Sequence, residues 1–392
     1  MPIDCYPQII AEIDRLANKL WEISTTLFNH PETGFKEYNA CKILTDALEA
    51  AGFMVERGIG GLETAFRATY GENARPKIAI LAEYDALVGL GHACGHNLIA
   101  AAAVGTGMAL SALTPKIPGQ IQVIGTPAEE GGGGKIILAK AGIFDDIDAA
   151  MMFHPASKNM VLRRSLADTE LKIEFIGKAS HAAAAPEEGI NALDAMILTF
   201  NNINAFRQTM GPKDRIAGII THGGERSNIV PAYTAAEFSI RALSSLRRDL
   251  LVEKVIACAQ AGSQAVGCEL KYTITPGYRE IIPNKVLANL FTTHLEQLGR
   301  VVVLPDLNER MGSTDMGDIS HLVPAIHPYL AIAPEKVAGH TVEFREYSIS
   351  ASGKSAMLDA AKALAMTATD LVNKPRLLVK ARKELISSLN NA

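Results

Sequence analysis

Ile121-Gln122-Val123-Ile124-Gly125-Thr126-Pro127-Ala128-Glu129-Glu130-Gly131-Gly132-Gly133-Gly134 is the stretch on which the fold of this chain turns. A short apolar run closed by glycine predicts a buried strand. Two adjacent carboxylates follow it, and four glycines then let the backbone turn sharply into the next helix. Adjacent acids at the end of a buried strand repel each other unless a cation lies beside them. A divalent metal ion meets that need, and other segments offer matching ligands: His92-Ala93-Cys94-Gly95-His96-Asn97 upstream, Met152-Phe153-His154-Pro155 and Gly339-His340 downstream. A thiolate, imidazoles and a carboxylate form the set that borderline-soft divalent metals take. The second glutamate is then free to act on a bound water.

The same pattern recurs on either side. Apolar residues repeat at helical spacing from residue 9 to about 51, with a break at Asn29-His30-Pro31, so two helices precede the first strand. Lys77 to Leu81 reads as a strand with Glu83-Tyr84-Asp85 at its C-terminal end, and His92 to Asn97 as a loop opening a helix at Leu98. Ile136 to Ala141 reads as a helix, and Asp148 to Phe153 as a strand ending at His154. Strands alternating with helices, with each candidate ligand just past a strand's C-terminal end, predict an α/β domain: an open mixed sheet flanked by helices, its site along that edge.

At about Asp168 the texture changes. Glu170 to Gly177 alternates as a half-buried strand, and Asn191 to Arg207 carries Leu193, Met196, Ile197, Phe200, Ile203 and Phe206 on one helical face. Strands at Arg215 to Thr221 and Ala235 to Leu243, a helix from about Leu246 to Ala265 and a strand at Glu269 to Thr275 complete the order β-α-β-β-α-β. That order is ferredoxin-like, an α+β insertion. Beyond Pro283 the α/β texture resumes and His340 arrives late, so the first domain is discontinuous. The expected boundaries are 1–167 and 283–392 for the catalytic metal-binding domain and 168–282 for the inserted dimerisation or lid domain.

The whole chain bounds the function. Its 392 residues exceed the roughly 250–300 at which single cores stop growing, so two domains are the default. A net charge of −4, with 38 basic residues spread along the chain, gives no electrostatic case for nucleic acid, and small molecules are the expected partners. The longest apolar run, Leu98 to Leu113, is broken by Gly105, Thr106, Gly107 and Ser111, and it is shorter than the ~20 residues a membrane span needs. Met1-Pro2-Ile3-Asp4 and the helical pattern after it lack the layout of a secretory signal. Five scattered cysteines argue against a disulfide framework and for a reducing cytoplasm.

A lone histidine near an apolar segment is ordinarily structural, and the cysteines other than Cys94 read as small buried hydrophobes. Joint occurrence shifts the balance. Cys94 and His96 are separated by one glycine, which lets both side chains turn toward one point, while Glu130, His154 and His340 follow separate apolar segments. Gly134-Lys135 could belong instead to a phosphate-cradling loop. That reading fails, because Glu129 stands where the first glycine is required, Ile136 replaces the Ser/Thr, and paired carboxylates repel phosphate.

The strings Ala82-Glu83-Tyr84-Asp85-Ala86-Leu87, His92-Ala93-Cys94-Gly95-His96-Asn97, Pro127-Ala128-Glu129-Glu130, His154, Gly177-Lys178-Ala179-Ser180-His181-Ala182 and Gly339-His340 occur in this order along nearly the whole chain. They resemble the metal-dependent amidohydrolases that include aminoacylases, glutamate carboxypeptidases and hippurate hydrolases, most of all the aminobenzoyl-glutamate hydrolase B-subunit and β-alanyl-lysine dipeptidase branch. The resemblance implies a homodimer with two divalent metal ions per subunit, zinc or manganese. It places the ligands at Cys94, His96, Glu130, His154 and His340, the general base at Glu129, and an acidic residue that orients a histidine ligand at Asp85. It assigns His181 to oxyanion stabilisation in the partner subunit's site, and Asn228 and Arg241 to the substrate's free carboxylate. Asn97 stands where auxin-conjugate and hippurate hydrolases usually have Asp, and Glu83 where many relatives have Asp or His.

The implied reaction hydrolyses the amide bond of N-acyl or N-aroyl amino acids or dipeptides. Two alternatives stay open: a hydrolytic deaminase or other amide hydrolase on the same scaffold, and a metal-stabilised binding protein without catalysis.

Overall fold

The computed structural model describes residues 5–113, 116–306, 309 and 311–390. The N-terminal Met1-Pro2-Ile3-Asp4 lies outside them. Helices α1 (Tyr6–Asn29) and α2 (Tyr38–Glu49) stand where the periodicity predicts them. Pro7 sits in the first turn of α1, where a missing N–H costs nothing. The stripe Ile9, Ile13, Leu16, Leu20, Ile23 and Leu27 is buried along one face. There follow β1 (Met54–Arg57), β2 (Phe66–Gly71), β3 (Lys77–Ala82), α3 (His96–Ser111), β4 (Gln120–Gly125), α4 (Gly134–Lys140), β5 (Ala149–Met151) and β6 (His154–Ala156). Next come β7 (Ala167–Ile176), α5 (Ala192–Phe206), β8 (Arg215–His222), β9 (Tyr233–Ala242), α6 (Ser245–Val266) and β10 (Glu269–Pro276). The last elements are α7 (Lys285–Gln297), α8 (Met316–Leu322), β11 (Ala325–Ile326), β12 (Tyr329–Ala331), α9 (Val342–Tyr347), α10 (Ala351–Asn373) and α11 (Pro375–Asn390).

The chain divides into two compact units. One runs up to Arg164 and resumes at Ile281 and again at Asp315; the other is Ser165–Glu280 with Met311–Thr314. In the first, a mixed six-stranded sheet has the order β1-β2-β4-β3-β5-β11. β4, β3, β5 and β11 run parallel, while β1 and β2 are antiparallel additions at one edge. β3 and β4 end level, Ala82 opposite Gly125, so the loops after them emerge side by side. The broken apolar run becomes α3, buried from His96 to Leu110 on every face between the sheet, α1 and α10. Its glycines are sites of close approach, since a Cβ on Gly105 would meet Leu20 Cδ1 at 2.6 Å and one on Gly107 would meet Val123 Cγ2 at 2.8 Å.

The second unit is an antiparallel sheet in the order β10-β7-β9-β8, with α5 and α6 packed together against one face. This is the ferredoxin-like arrangement. β7 buries Leu171, Ile173 and Phe175 in strict alternation. The expected stripe on α5 is corrected in part. Met196 and Ile203 are buried, but Ala192, Ala195 and Thr199 join them while Ile197 is exposed. Small residues win the inward face because α6 approaches closely there: a Cβ on Gly262 would lie 2.6 Å from the Ala195 carbonyl oxygen.

Candidate metal centre

The loops after β3, β4 and β5 deliver most of the site. Past β3 come Glu83 and Asp85, both buried. Asp85 Oδ1 accepts from His96 Nδ1 at 2.9 Å, and its Oδ2 accepts from the Glu130 backbone N–H at 2.9 Å. One carboxylate therefore fixes both an imidazole and the peptide of a neighbouring acid. With Nδ1 engaged, His96 presents Nε2 toward Glu83 Oε2 at 3.4 Å and Glu130 Oε1 at 3.8 Å.

The turn Cys94-Gly95-His96 is tight because Gly95 has φ +79°, and a Cβ there would meet Pro155 Cγ at 2.7 Å. Cys94 Sγ lies 3.4 Å from His154 Nε2, whose ring stacks on Tyr329 across the parallel pair β6–β12. His154 Nδ1 donates to the Pro155 carbonyl at 2.7 Å, which leaves Nε2 as its lone-pair face. His340, in the left-handed region at φ +61°, reaches to 3.5 Å of Glu130 Oε2. Ala128, just before the paired glutamates, has φ +59°, a conformation L-residues rarely hold without reason.

These side chains form interlocking groups whose ligand atoms lie within 4.8 Å of one another: Cys94, His96 and His154; Cys94, Glu130 and His340; His96, Glu129 and Glu130; and Glu83, Glu129 and Asp315. The donor set fits a metal. His96 Nε2 and Glu130 Oε1 are buried without a hydrogen-bond partner among the described residues, a costly arrangement unless something cationic lies between them. Burial, and then the Glu130 charge, push the Cys94 thiol well above its ordinary range. Burial and then His96 bring His154 down to about 3, so it stands as a neutral imidazole. Burial would lower His96 too, but the Glu83 and Asp85 carboxylates outweigh it and raise it well above the ordinary value. Burial raises Glu129 well above the usual carboxylate range, with Glu83 and Asp315 adding to it.

The structure thus brings together Cys94, His96, Glu129, Glu130, His154, His340 and Asp85. The other expected site residues belong to the second unit. His181 is exposed, and its Nδ1 accepts from the backbone N–H groups of Ala183 and Ala184 at 3.2 and 3.1 Å. Asn228 is exposed in the neighbouring loop, where its carbonyl accepts from the Ala182 N–H. Arg241 lies next to the last residue of β9, 3.4 Å from Ser313 Oγ and 3.9 Å from Asp168 Oδ2. Asn228 precedes the other end of that strand, and at about 3.3 Å per residue Tyr233 at that end is roughly 26 Å from Arg241. Within one unit Asn228 and Arg241 do not converge.

Three residues escaped the sequence reading. Lys135 was visible only as the sequel to a rejected phosphate loop. Asp315 follows Gly312-Ser313-Thr314 without a motif to mark it. His327, next to Ile326 at the end of β11, is buried with both ring nitrogens unpartnered among the described residues, and it packs 5.3 Å from His154.

The model of peptidase family M20/M25/M40 matches residues 81–368. A mouse (Mus musculus) protein named Xaa-Arg dipeptidase is 41% identical over 389 residues, covering 95% of this chain and 90% of that protein. The B-subunit of p-aminobenzoyl-glutamate hydrolase from Escherichia coli (strain K12) is 33% identical over 309 residues, 74% of this chain and 64% of that protein. A Bacillus subtilis crystal structure, described as a dinuclear metal binding peptidase from the M20 family, superposes with a TM-score of 0.74 at 18% identity, covering 92% of this chain and 99% of that one.

Proposed function

The chain belongs to peptidase family M20/M25/M40, and from that premise we propose that it is a dinuclear-metal amidohydrolase releasing an amino acid from an N-acyl group, an N-aroyl group or a dipeptide. The observation that carries this reading is the position of Glu129. It shares one group with His96 and Glu130, on the strand end where the ligand segments meet. Cys94 belongs to two triads, one with His96 and His154 and one with Glu130 and His340, and these are the residues that would hold the metal ions. Zinc and manganese are the ions to test, since sulfur favours the softer ion and carboxylate the harder.

Ions bound there supply a water acidic enough to ionise near neutral pH and a Lewis acid for the amide oxygen. Glu129 takes the proton from the attacking water and returns it to the leaving nitrogen. Asp85 keeps His96 in the tautomer that presents Nε2, and holds the Glu130 peptide in place. His181 accepts two backbone N–H groups at Nδ1, which leaves Nε2 as the ring nitrogen to donate to an oxyanion.

Residues 1–167 and 283–392 act as the catalytic domain and 168–282 as the dimerisation or lid domain of a cytoplasmic homodimer. Two copies of the chain bring Asn228 of one and Arg241 of the other to a single substrate carboxylate, because within one unit Asn228 lies in the loop before one end of β9 and Arg241 stands at the other end. No helix among the described residues is long and apolar enough to cross a membrane.

The test is a screen of dipeptides, N-acyl amino acids and aminobenzoyl-glutamate with added manganese or zinc, dipeptides ending in arginine first. Released amino acid supports the reading. Ammonia without amino acid would make the protein a deaminase, and no turnover with a full metal complement would make it a binding protein.

A further inference from the structure

The four-glycine run has an outcome that the metal site does not use. Gly133, with φ +63°, starts α4, and a Cβ on Gly134 would lie 1.9 Å from the Pro127 carbonyl oxygen. The helix therefore begins hard against the end of β4 and drives Lys135 into the protein beneath the paired glutamates. Its side chain is fully buried. Nζ donates to Glu83 Oε1 at 2.5 Å and to Asp315 Oδ1 at 2.7 Å, and the backbone N–H donates to Asp315 Oδ2 at 3.0 Å. The carboxylates of Glu83, Asp315 and Glu129 lie within 4.8 Å of one another, a cluster that would fly apart without a cation. Burial would strip the proton from this lysine, but Asp315 and Glu83 hold it on and raise the ammonium above its usual range.

Glu129 is the member common to this cage and to the group with His96 and Glu130. On one side it faces ligands for exchangeable ions, on the other a cation built into the chain. We propose that Lys135 is a positioning residue for Glu129: its ammonium draws Glu83 and Asp315 into a buried cage, and that cage holds the Glu129 carboxylate against the metal-ligand cluster. Through Glu83 the same ammonium also aims a carboxylate oxygen at His96 Nε2, 3.4 Å away. The proposal rests on reading Glu129 as the proton carrier.

The test uses metal-loaded full-length protein. Lys135→Met alone leaves buried carboxylates unpaired, so the decisive form is the double variant Lys135→Met/Asp315→Asn, which removes one charge of each sign. The expected result is a folded protein with the parental metal content by elemental analysis, KM within about threefold, and kcat lowered about 100-fold or more. Lys135→Arg, which keeps the charge, should retain more activity than Lys135→Met. A crystal structure of the double variant should show the Glu129 carboxylate displaced. Parental kcat, an undisplaced Glu129, activity lost only in proportion to lost metal, or failure to fold would each overturn the proposal, the last two by assigning Lys135 to the ligand shell or the scaffold. If the parent hydrolyses no amide, the functional reading fails by itself, and the position of Glu129 in the two structures still decides the role of Lys135.

Discussion

The candidate site residues of the first unit and those of the second are held in opposite ways. Cys94, His96, Glu129, Glu130 and Asp85 sit on parallel strand ends and a core helix, interlocked by hydrogen bonds and close contacts. His181 and Asn228 are exposed in loops, and Arg241 stands at the far end of a strand from them. The first unit presents a pre-formed cluster, while in the second Arg241 stands apart from His181 and Asn228. Rigid strand ends suit ligands that must keep fixed distances, whereas exposed loops leave side chains room to move.

The largest effect should come from splitting the glutamate pair. Glu129→Gln is expected to keep metal while turnover falls roughly 10²–10⁴-fold, the usual scale for lost general acid–base help. Glu130→Gln should lose metal as well. Elemental analysis after desalting checks both, and equal metal loss would show that the two acids have no division of labour.

Asp85→Asn addresses how far the first cluster is pre-formed. Removing the carboxylate that steadies His96 and the Glu130 peptide should weaken metal binding by about 10- to 100-fold, measured by chelator competition. An unchanged affinity would mean that packing alone holds the ligands.

For the second unit, Arg241→Lys should raise KM about tenfold for free-acid substrates, because lysine cannot reproduce the two parallel hydrogen bonds of a guanidinium. Equal cleavage of an amidated substrate by the parent would remove any carboxylate contact from the scheme. Mixing inactive His181→Ala and Glu129→Gln chains should restore part of the activity, since one site of the heterodimer would hold both intact residues. No recovery from a verified heterodimer would make each protomer's site self-contained.

The smallest effect concerns a buried carboxylate with its counter-charges but no chemistry. Asp370 accepts from Tyr6 Oη at 2.8 Å, His294 Nε2 at 3.1 Å and Lys374 Nζ at 2.6 Å. Burial alone would raise it, but these bonds bring it down to about 2. Its folded value is thus below the ~3.9 of an unfolded chain. The stabilisation is complete above that pH and is lost as pH falls from about 4 toward 2. It amounts to about 1–2 kcal/mol after solvent screening. Thermal melts of the parent and Asp370→Asn should converge over that window while activity at neutral pH is spared.

Much of this molecule was legible along the chain. The strands before Glu83, Glu129 and His154, and the β-α-β-β-α-β order of the second unit, follow from apolar periodicity over windows of five to fifteen residues. The ordered motif strings pointed to the family that the comparisons return. The α5 stripe differs from its periodicity because periodicity finds the apolar residues without telling which of them α6 leaves room for.

What the sequence by itself determined is therefore local: element types, strand ends, and the residue types near them that can bind a metal. What only the tertiary structure decided is which buried polar groups meet. Lys135 finds Glu83 across 52 residues and Asp315 across 180. Asp85 serves His96 and Glu130 together, and Asn228 lies in the loop before one end of β9 while Arg241 stands at the other end. The reason is physical. A strand or helix is selected by side chains a few residues apart, whereas a buried charge is settled by whichever partner the packed sheet carries to it, and no spacing in the chain encodes that distance.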